Sequence, residues 1–228
     1  MSLFLRIAEI VIVLAALVGL SRQVRKPGRL LGMPFAWLMN LSHKELMRWG
    51  LKQGNIGAAS SILDIGCGGG ATVKKMAISV TRAKVYGVDC SEGSLAVARI
   101  VNGPLIRDGR VVMVKAAMPV LPFPDGQFDL VTAFETQYYW PDLPGSLREI
   151  LRVLQPGGTL LVVAEFYKRE GARNRLQQGL MKFLGSTNLS VEDQRELFSG
   201  AGFVDVRVLE NRAKGWIAVR GMKINPSS

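Results

Sequence analysis

The sequence predicts an α/β fold in which a doubly wound, mostly parallel sheet of seven strands follows an N-terminal helical extension. From Ser60 onward, short apolar runs alternate with segments of helical periodicity, which is typical of parallel strands joined by crossover helices. The first apolar run ends in four glycines within five residues, and Ala71 then opens a helix. A strand, a tight turn and a helix N-terminus let bare backbone approach a nucleotide-like ligand. We therefore expect a ligand site at this turn.

Size and composition limit the alternatives. With 228 residues, 48% of them hydrophobic, the chain can bury one substantial core, so we expect one domain with appendages. The two cysteines, Cys67 and Cys90, give neither a disulfide framework nor a metal-ligand cluster, so no metal is expected and a reducing cytoplasm fits. The net charge of +11 indicates an acidic partner: nucleic acid, an anionic membrane or an acidic substrate.

Residues 1–21 are predicted to form an apolar helix. The stretch from Ser2 to Leu20 is broken only by Arg6 and Glu9, and its uninterrupted part is too short to cross a bilayer comfortably. Four basic residues follow within residues 22–29, as expected of an inner-leaflet anchor with the rest of the chain in the cytoplasm. We expect attachment to the inner face of a membrane through residues 3–20. A helix buried against the core, or in a dimer contact, is the alternative.

Residues 22–55 are predicted to be a basic, partly helical cover segment. A helix begins near Ser42, which can cap it, and places Leu46 and Trp49 on one side. His43 is the only histidine of the chain. A lone histidine is often a structural hydrogen-bonding residue. Because this segment precedes the first strand and can fold over a pocket, a functional role for His43 stays open.

Residues 56–228 are predicted to form the wound sheet. The pattern indicates strands near 61–66, 84–89, 111–116, 128–134, 159–165, 204–210 and 215–222, and helices near 71–80, 92–102, 144–154 and 191–200. Between the third of these helices and the fifth strand, residues 155–158 (QPGG) are predicted to form a turn.

The glycine turn alone does not identify its ligand. Gly66-x-Gly68-x-x-Ala71 fits the dinucleotide fingerprint. Asp64, two residues earlier, would repel the pyrophosphate of a dinucleotide but attract the sulfonium and ammonium of S-adenosylmethionine (SAM). A capping role for Asp64 on the amides of the turn is compatible with this. The second strand ends in Asp89, which can accept hydrogen bonds from two ribose hydroxyls, and the turn with Asp89 indicates an adenosine-containing ligand.

Four motifs together, in this order and spacing, resemble those of the class I, Rossmann-like SAM-dependent methyltransferases: LDIGCGGG, VYGVD, LPFPDGQFDLV and LREILRVLQPGGTLLV. The resemblance covers roughly residues 55–210. It implies that Asp64, Gly66, Cys67 and Gly68 hold the methionine end of SAM and that Asp89 holds the ribose. Many relatives carry an Asp for the adenine amino group where this chain has Ala117, so adenine would rest on backbone groups and on Met118. Cys90 and Phe134 complete the predicted cofactor-binding set.

The resemblance implies in-line transfer of the methyl group, with S-adenosylhomocysteine (SAH) as the product. The loop after the fourth strand should lie beside the methyl group, and its aromatic residues can contact the donor or a flat acceptor, or pack under the next helix. A general base is needed only for a protonated acceptor; the candidates are Glu135 and Tyr138, then His43. Glu165 could help to position a substrate.

The acceptor is predicted to be a small molecule or lipid-like, because the basic, irregular stretch 167–189 occupies a place where insertions build acceptor pockets. A solvated helix face is the alternative for that stretch. A nicotinamide-dependent oxidoreductase, an RNA or protein methyltransferase and a non-catalytic scaffold also stay open. Nucleic acid is disfavoured, because the basic residues are spread along the chain and no RNA-binding module is recognisable. The sequence allows an oligomer without indicating one.

Overall fold

The computed structural model describes residues 43–54, 56–169 and 188–225. The predicted N-terminal helix, its basic flank and most of the basic stretch 167–189 lie outside the described residues. Within those three ranges, no helix combines the length and apolar character that crossing a bilayer requires. Attachment to a membrane through residues 3–20 therefore stays a prediction.

The described residues form one seven-stranded sheet, as the sequence predicts, and its strand order is β3-β2-β1-β4-β5-β7-β6. Strands β1 to β5 pair in parallel, whereas β7 pairs antiparallel with both β5 and β6. The strands are β1 (Ser61–Ile65), β2 (Lys84–Asp89), β3 (Val111–Lys115), β4 (Phe128–Phe134), β5 (Leu154–Ala164), β6 (Phe203–Asn211) and β7 (Trp216–Lys223).

Six α-helices connect or flank these strands in the described part: α1 (Lys44–Gln53), α2 (Ala71–Ser79), α3 (Glu92–Val101), α4 (Gly103–Arg107), α5 (Leu143–Val153) and α6 (Val191–Ala201). The N-termini of α3, α5 and α6 are capped by Ser91, Asp142 and Ser190, each of which accepts a backbone N–H bond in the first turn. Helix α4 was not predicted. Its Gly-Pro start has the composition of a loop, yet proline is tolerated in the first turn of a helix.

The helices cover both faces of the sheet, and this explains why the central strands are apolar at successive positions. On β1, Ile62 packs with Leu46, Val73 and Leu95 of α1, α2 and α3. Its neighbour Leu63 packs with residues of α5 and α6 on the opposite face, among them Leu147, Ile150 and Phe198. Because successive side chains of a strand point to opposite faces, a strand buried on both faces needs a continuous apolar run.

One local prediction was wrong. The QPGG sequence of residues 155–158 does not form a turn that precedes β5 but lies within β5, whose pairing with β4 is irregular there. Leu154 pairs with Phe128 and Thr159 with Leu130, so the extra residues are accommodated as a bulge. Gly157, with a φ of 76°, supplies the left-handed conformation inside that bulge. Gly and Pro here therefore mark an irregularity in the pairing of β5 with β4, and not the start of β5.

The strand order places a topological switch between β1 and β4. From β1 the chain winds outward through β2 to β3, then crosses back to β4 on the other side of β1. Parallel strands end at a common edge, and a crevice forms there where the winding reverses direction. The loops that follow Ile65, Asp89, Lys115, Phe134 and Ala164 all lie at this edge.

Candidate active site

A cavity of about 610 Å³ lies at the carboxyl edge of the sheet. Its walls come from the ends of β1, β2 and β4, the loops that follow β3 and β5, and the first turn of α1. All nine residues predicted to bind the cofactor line it: Asp64, Gly66, Cys67, Gly68, Asp89, Cys90, Ala117, Met118 and Phe134. Of the three predicted base candidates, His43 and Glu135 line the cavity.

The glycine turn has the open geometry that its sequence predicts. Gly66, Gly68 and Gly70 adopt left-handed φ values of 68°, 51° and 77°. A Cβ atom at Gly66 would collide with the side chain of Thr136, whereas one at Gly68 would meet no atom within 4 Å. The backbone at Gly68 is therefore bare and accessible to a ligand.

Asp89 closes this turn from the end of β2. Its Oδ2 accepts a hydrogen bond of 3.0 Å from the Gly68 N–H, and its Oδ1 accepts one of 2.8 Å from the Ser91 N–H. Burial raises the pKa of the Asp89 carboxyl, although the hydrogen bonds from Ser91 and Gly68 act in the opposite direction. Because each carboxylate oxygen can accept more than one hydrogen bond, both oxygens keep capacity for a vicinal diol.

Asp64 lies deeper than the sequence indicates. The residue is 2% exposed, and its Oδ1 accepts a hydrogen bond of 2.6 Å from the Thr132 hydroxyl, directly across the β1–β4 pairing. Burial raises its pKa to about 7, against the lowering effect of the Thr132 bond, and the nearby Asp89 raises it further. The amide of the turn is thus capped by Asp89. Asp64 instead contributes a buried carboxyl to the cavity wall.

The remaining predicted cofactor residues supply mainly neutral surface. Burial, together with the charges of Asp89 and Asp64, raises the pKa of the Cys67 thiol well above its ordinary value, so this thiol stays protonated at neutral pH. Ala117 and Met118 follow β3, and Ala117 pairs with Val120 through an isolated bridge, which holds the backbone of this loop at the cavity. Phe134 lies on the opposite side, at the end of β4.

Glu135 is held rigidly at the end of β4. Its backbone is left-handed, with a φ of 59°, and its N–H donates to Val163 O at 2.9 Å. The carboxyl Oε1 accepts hydrogen bonds from the Glu165 N–H and, at 3.3 Å, from the Tyr138 hydroxyl. Burial raises the pKa of Glu135 to about 8. A non-glycine residue in this strained conformation is a feature of functional sites.

Tyr138 does not line the cavity, although it was predicted as a candidate base, and its hydroxyl contacts two residues that do, Glu135 and Phe166. Its ring is buried in the core, and its hydroxyl accepts a hydrogen bond of 2.9 Å from the Phe166 N–H. Burial and the nearby Glu135 charge raise its pKa well above the ordinary value, so the hydroxyl keeps its proton. Tyr139, Trp140 and Phe166 carry the aromatic surface that faces the cavity. Trp140 also belongs to the hydrophobic core, so this one residue both packs in the core and lines the cavity.

His43 and Glu165 join Glu135 from two other elements. One ligand atom from each of the three side chains lies within 4.8 Å of the other two. Burial lowers the pKa of His43, whereas the charge of Glu165 acts to raise it. The sequence names each of these residues separately but contains no signal that brings them together, because their contact depends on how α1 packs across the sheet.

The sequence did not single out Thr132, Met47 or Phe166 as parts of this site. Thr132 is a fully buried polar residue inside β4, and its role as the partner of Asp64 follows from the strand register. Met47 and Phe166 line the cavity from α1 and from the loop after β5. An unexplained Thr within an apolar strand was the available signal for the first. Nothing in the sequence separates the other two from core residues.

These observations fit an adenosylated sulfonium ligand. Carboxylates at the ends of β1 and β2 and bare backbone at Gly68 lie on one wall, and apolar surface from Ala117, Met118 and Phe134 lies on others. Two carboxylates in one partly dry cavity favour a cationic ligand and disfavour a pyrophosphate.

Comparisons with known proteins agree with this geometry. Residues 63–162 match the family model described as a methyltransferase domain. The chain is 38% identical over 103 residues to the 27-O-demethylrifamycin SV methyltransferase of Amycolatopsis mediterranei, covering 45% of this chain and 38% of that protein. It is 29% identical over 160 residues to a sterol 24-C-methyltransferase of Aspergillus fumigatus, covering 68% and 41%. The chain thus spans about two fifths of the length of these relatives.

A solved structure shows the same fold. Human N-acetylserotonin methyltransferase, determined in complex with SAM, superposes with a TM-score of 0.70 at 18% identity, covering 85% of this chain and 56% of that one. The match to the family model includes the glycine turn, Asp89 and all of strands β2, β3 and β4. It also includes β1 without its beginning and β5 without its end. The domain of residues 63–162 therefore belongs to the methyltransferase-domain family, and the sheet around it has the Rossmann-like fold of solved SAM-dependent methyltransferases.

Proposed function

We propose that the protein transfers a methyl group from SAM to a small-molecule or lipid-like acceptor. The observation that carries the proposal is the shared cavity of Asp64, Asp89 and the bare glycine turn. Asp89 would hold the ribose hydroxyls, and Gly66 to Gly68 with Asp64 would hold the methionine end. Ala117 and Met118 would contact the adenine. Bound there, SAM supplies a methyl group that is already activated by its sulfonium charge.

The protein's own contribution would be positioning and the exclusion of water. The Tyr139, Trp140 and Phe166 rings form an apolar wall on which an acceptor can pack, and α1 covers the cavity through Leu46 and Met47. Where the acceptor enters protonated, His43 would receive its proton, because burial lowers the pKa of His43 and keeps the ring neutral; Glu135, whose pKa is about 8, could do so only in more alkaline solution. Tyr138 would act indirectly, by orienting Glu135.

The class of acceptor is supported by the apolar lining and by the relatives. The two curated relatives named above carry a rifamycin and a sterol in their names, and a third is a ubiquinone biosynthesis O-methyltransferase. All three names refer to small molecules or lipids. We extend that class, and not any one of these compounds, to this chain.

Calorimetric titration of the purified chain with SAM, SAH and NADH tests the proposal. We expect SAM and SAH to bind and NADH not to bind.

Asp89→Ala should weaken the affinity for SAM at least about tenfold, because the lost carboxylate would accept charge-assisted hydrogen bonds. Asp89→Asn keeps an acceptor for one backbone amide and controls for collapse of the turn. Asp108→Ala, at an exposed aspartate, is the matched control and should leave affinity unchanged. Tight NADH binding without SAM binding would overturn the proposal in favour of an oxidoreductase.

A further inference from the structure

We propose that His43, Glu135 and Glu165 form a binding site for one divalent transition-metal ion at the cavity. The three residues come from three elements: His43 precedes α1, Glu135 follows β4 and Glu165 follows β5. One imidazole nitrogen and one oxygen of each carboxyl lie within 4.8 Å of one another. All three residues are partly buried, so they are not an ordinary solvated acidic surface.

The spacing suits an ion after small side-chain adjustments. Nitrogen and oxygen ligands bind such ions at about 2.0–2.2 Å, so neighbouring ligand atoms around one ion lie roughly 3–3.5 Å apart. One imidazole with two carboxylates is a ligand set suited to Mn²⁺, Fe²⁺ or Zn²⁺, and it is less suited to Ca²⁺ or Mg²⁺, which prefer oxygen alone. Three protein ligands would leave coordination positions open towards the cavity.

The charges of the two carboxyl groups give a second reason to expect a cation at this site. In the described part of the chain, neither Glu135 nor Glu165 forms an ion pair with a lysine or arginine. When both are ionised, two carboxyl groups this close repel each other where water is partly excluded. A divalent cation between them would offset the repulsion of both groups at once.

The orientation of Glu135 also matches that of a metal ligand. Oε1 of Glu135 is occupied by the Glu165 N–H and the Tyr138 hydroxyl, and that hydroxyl is itself fixed by the Phe166 N–H. These bonds fix the carboxyl plane, and among the described residues none donates a hydrogen bond to Oε2. Hydrogen-bonded support of this kind is typical of carboxylates that bind metals. Binding of the ion does not depend on methyl transfer, whereas coordination of an acceptor by the ion rests on the proposed function.

The full chain, with any purification tag removed and after treatment with a chelator, should be titrated with MnCl₂ and ZnCl₂ by calorimetry. We expect one ion per chain. Glu135→Gln, Glu165→Gln and His43→Ala should each weaken binding at least about tenfold, whereas the exposed Glu196→Gln should not. Tyr138→Phe should weaken binding less than loss of a ligand. Melting curves and SAM titrations of the same variants show whether each is folded.

Because His43 is the only histidine, pulsed electron paramagnetic resonance of bound Mn²⁺ gives a specific signature. Coupling to an imidazole nitrogen should appear in the wild type and disappear in His43→Ala. Absence of binding up to about 1 mM, the weak end of natural metal sites, would overturn the proposal. Wild-type affinity in the three ligand variants would also overturn it. Failure to bind metal while SAM still binds would leave the proposed function intact.

Discussion

At the scale of single residues, Asp64 presents a conflict between stability and binding. Its carboxyl is buried beside Asp89, and burial raises its pKa to about 7. A cation bound in the cavity would lower that pKa again, because it favours the ionised form. Above about pH 7 the unliganded protein therefore carries a buried charge, which becomes favourable only when a cationic ligand is present.

Asp64→Asn should expose this conflict. Above pH 4 the unfolded Asp64 loses its proton while the folded one keeps it to about pH 7, so this residue lowers stability as pH rises through that window. The variant keeps an oxygen for the Thr132 hydroxyl. We expect it to raise the free energy of unfolding at pH 8 by about 1–4 kcal/mol, by urea denaturation without ligand.

The same substitution should change how SAM affinity depends on pH. In the wild type, affinity should rise about tenfold between pH 6 and pH 8 as Asp64 ionises. In Asp64→Asn it should be weaker at pH 8 and flatter with pH, by calorimetry. The variant also controls for titration of the amino group of SAM. An unchanged pH profile would show that Asp64 is not the titrating group.

What the sequence could reveal at this scale depended on local spacing. Asp64 and Asp89 were predictable because each stands next to a recognisable turn or strand end. The hydrogen bond from Thr132 to Asp64 was not, because it depends on the register between β1 and β4. The cluster of His43, Glu135 and Glu165 was not predictable either, since more than 90 residues separate its first two members.

At the scale of elements, the cover of the cavity depends on how closely α1 approaches the sheet. Gly50, in the middle of α1, packs against Val163 of β5 and Phe134 of β4. A Cβ atom there would lie 2.7 Å from Val163 Cγ2 and 2.8 Å from Phe134 Cε1. Helix interiors disfavour glycine, so its presence here follows from the close contact.

Gly50→Val should therefore displace α1. We expect a destabilisation of about 1–3 kcal/mol, typical of overpacking, measured as a lower melting temperature. Because Trp49 lies 5.8 Å from Trp216 between ring centroids, tryptophan emission should shift to the red as this contact loosens. Gly57→Ala is the matched control, since a Cβ there meets no atom within 4 Å. Equal melting temperatures for the two variants would contradict the packing argument.

The opposite edge of the sheet depends on Asp129 of β4. Its Oδ2 accepts hydrogen bonds from the Ser60 N–H, the Ser60 hydroxyl and the Ser61 N–H at 2.6–2.7 Å, and Gln155 donates to Oδ1. Although burial acts to raise the pKa of Asp129, the bonds from Ser60 and its other donors bring it below the ordinary value. This residue joins the start of β1 to β4 and β5, far along the strands from the cavity.

Asp129→Ala should cost about 2–4 kcal/mol of stability at pH 7, because several hydrogen bonds lose their acceptor. The folded pKa is depressed, so this stabilisation is present above pH 4 and is lost as pH falls through the folded pKa. Urea denaturation at pH 7 and pH 3 should show a smaller difference between wild type and variant at pH 3 than at pH 7. SAM affinity of the folded variant should be unchanged, and a large loss would mean that the two edges are coupled.

At the scale of the whole molecule, the sheet was predictable because its signals repeat. Seven apolar runs and the helical segments between them set the strand count and the parallel core. Two irregular features were not predictable from the sequence, the QPGG bulge in β5 and helix α4. Both contain Gly and Pro, which usually mark the end of a helix or strand. In both, pairing or packing with distant strands overrides a local preference for turns.

The net charge of +11 belongs to the molecule as a whole, and its distribution bears on the predicted membrane contact. Arg22, Arg25, Lys26 and Arg29 follow the apolar stretch directly, and each basic residue near an anionic bilayer contributes about 1 kcal/mol. We expect the full chain to sediment with vesicles that contain phosphatidylglycerol. Replacing these four residues with Gln should weaken that binding by two orders of magnitude or more at low salt.

A matched variant separates local from total charge. Replacing the exposed Lys74, Lys75, Arg82 and Lys84 with Gln removes the same charge from the surface around α2 and the start of β2. If the segment after the apolar stretch makes the contact, this variant should sediment with the vesicles almost as the wild type does. Equal losses in the two variants would instead mean that diffuse charge drives the binding, since unlocalised attraction depends on total charge and is screened by salt. This second variant should not change SAM affinity, because none of its four residues lines the cavity.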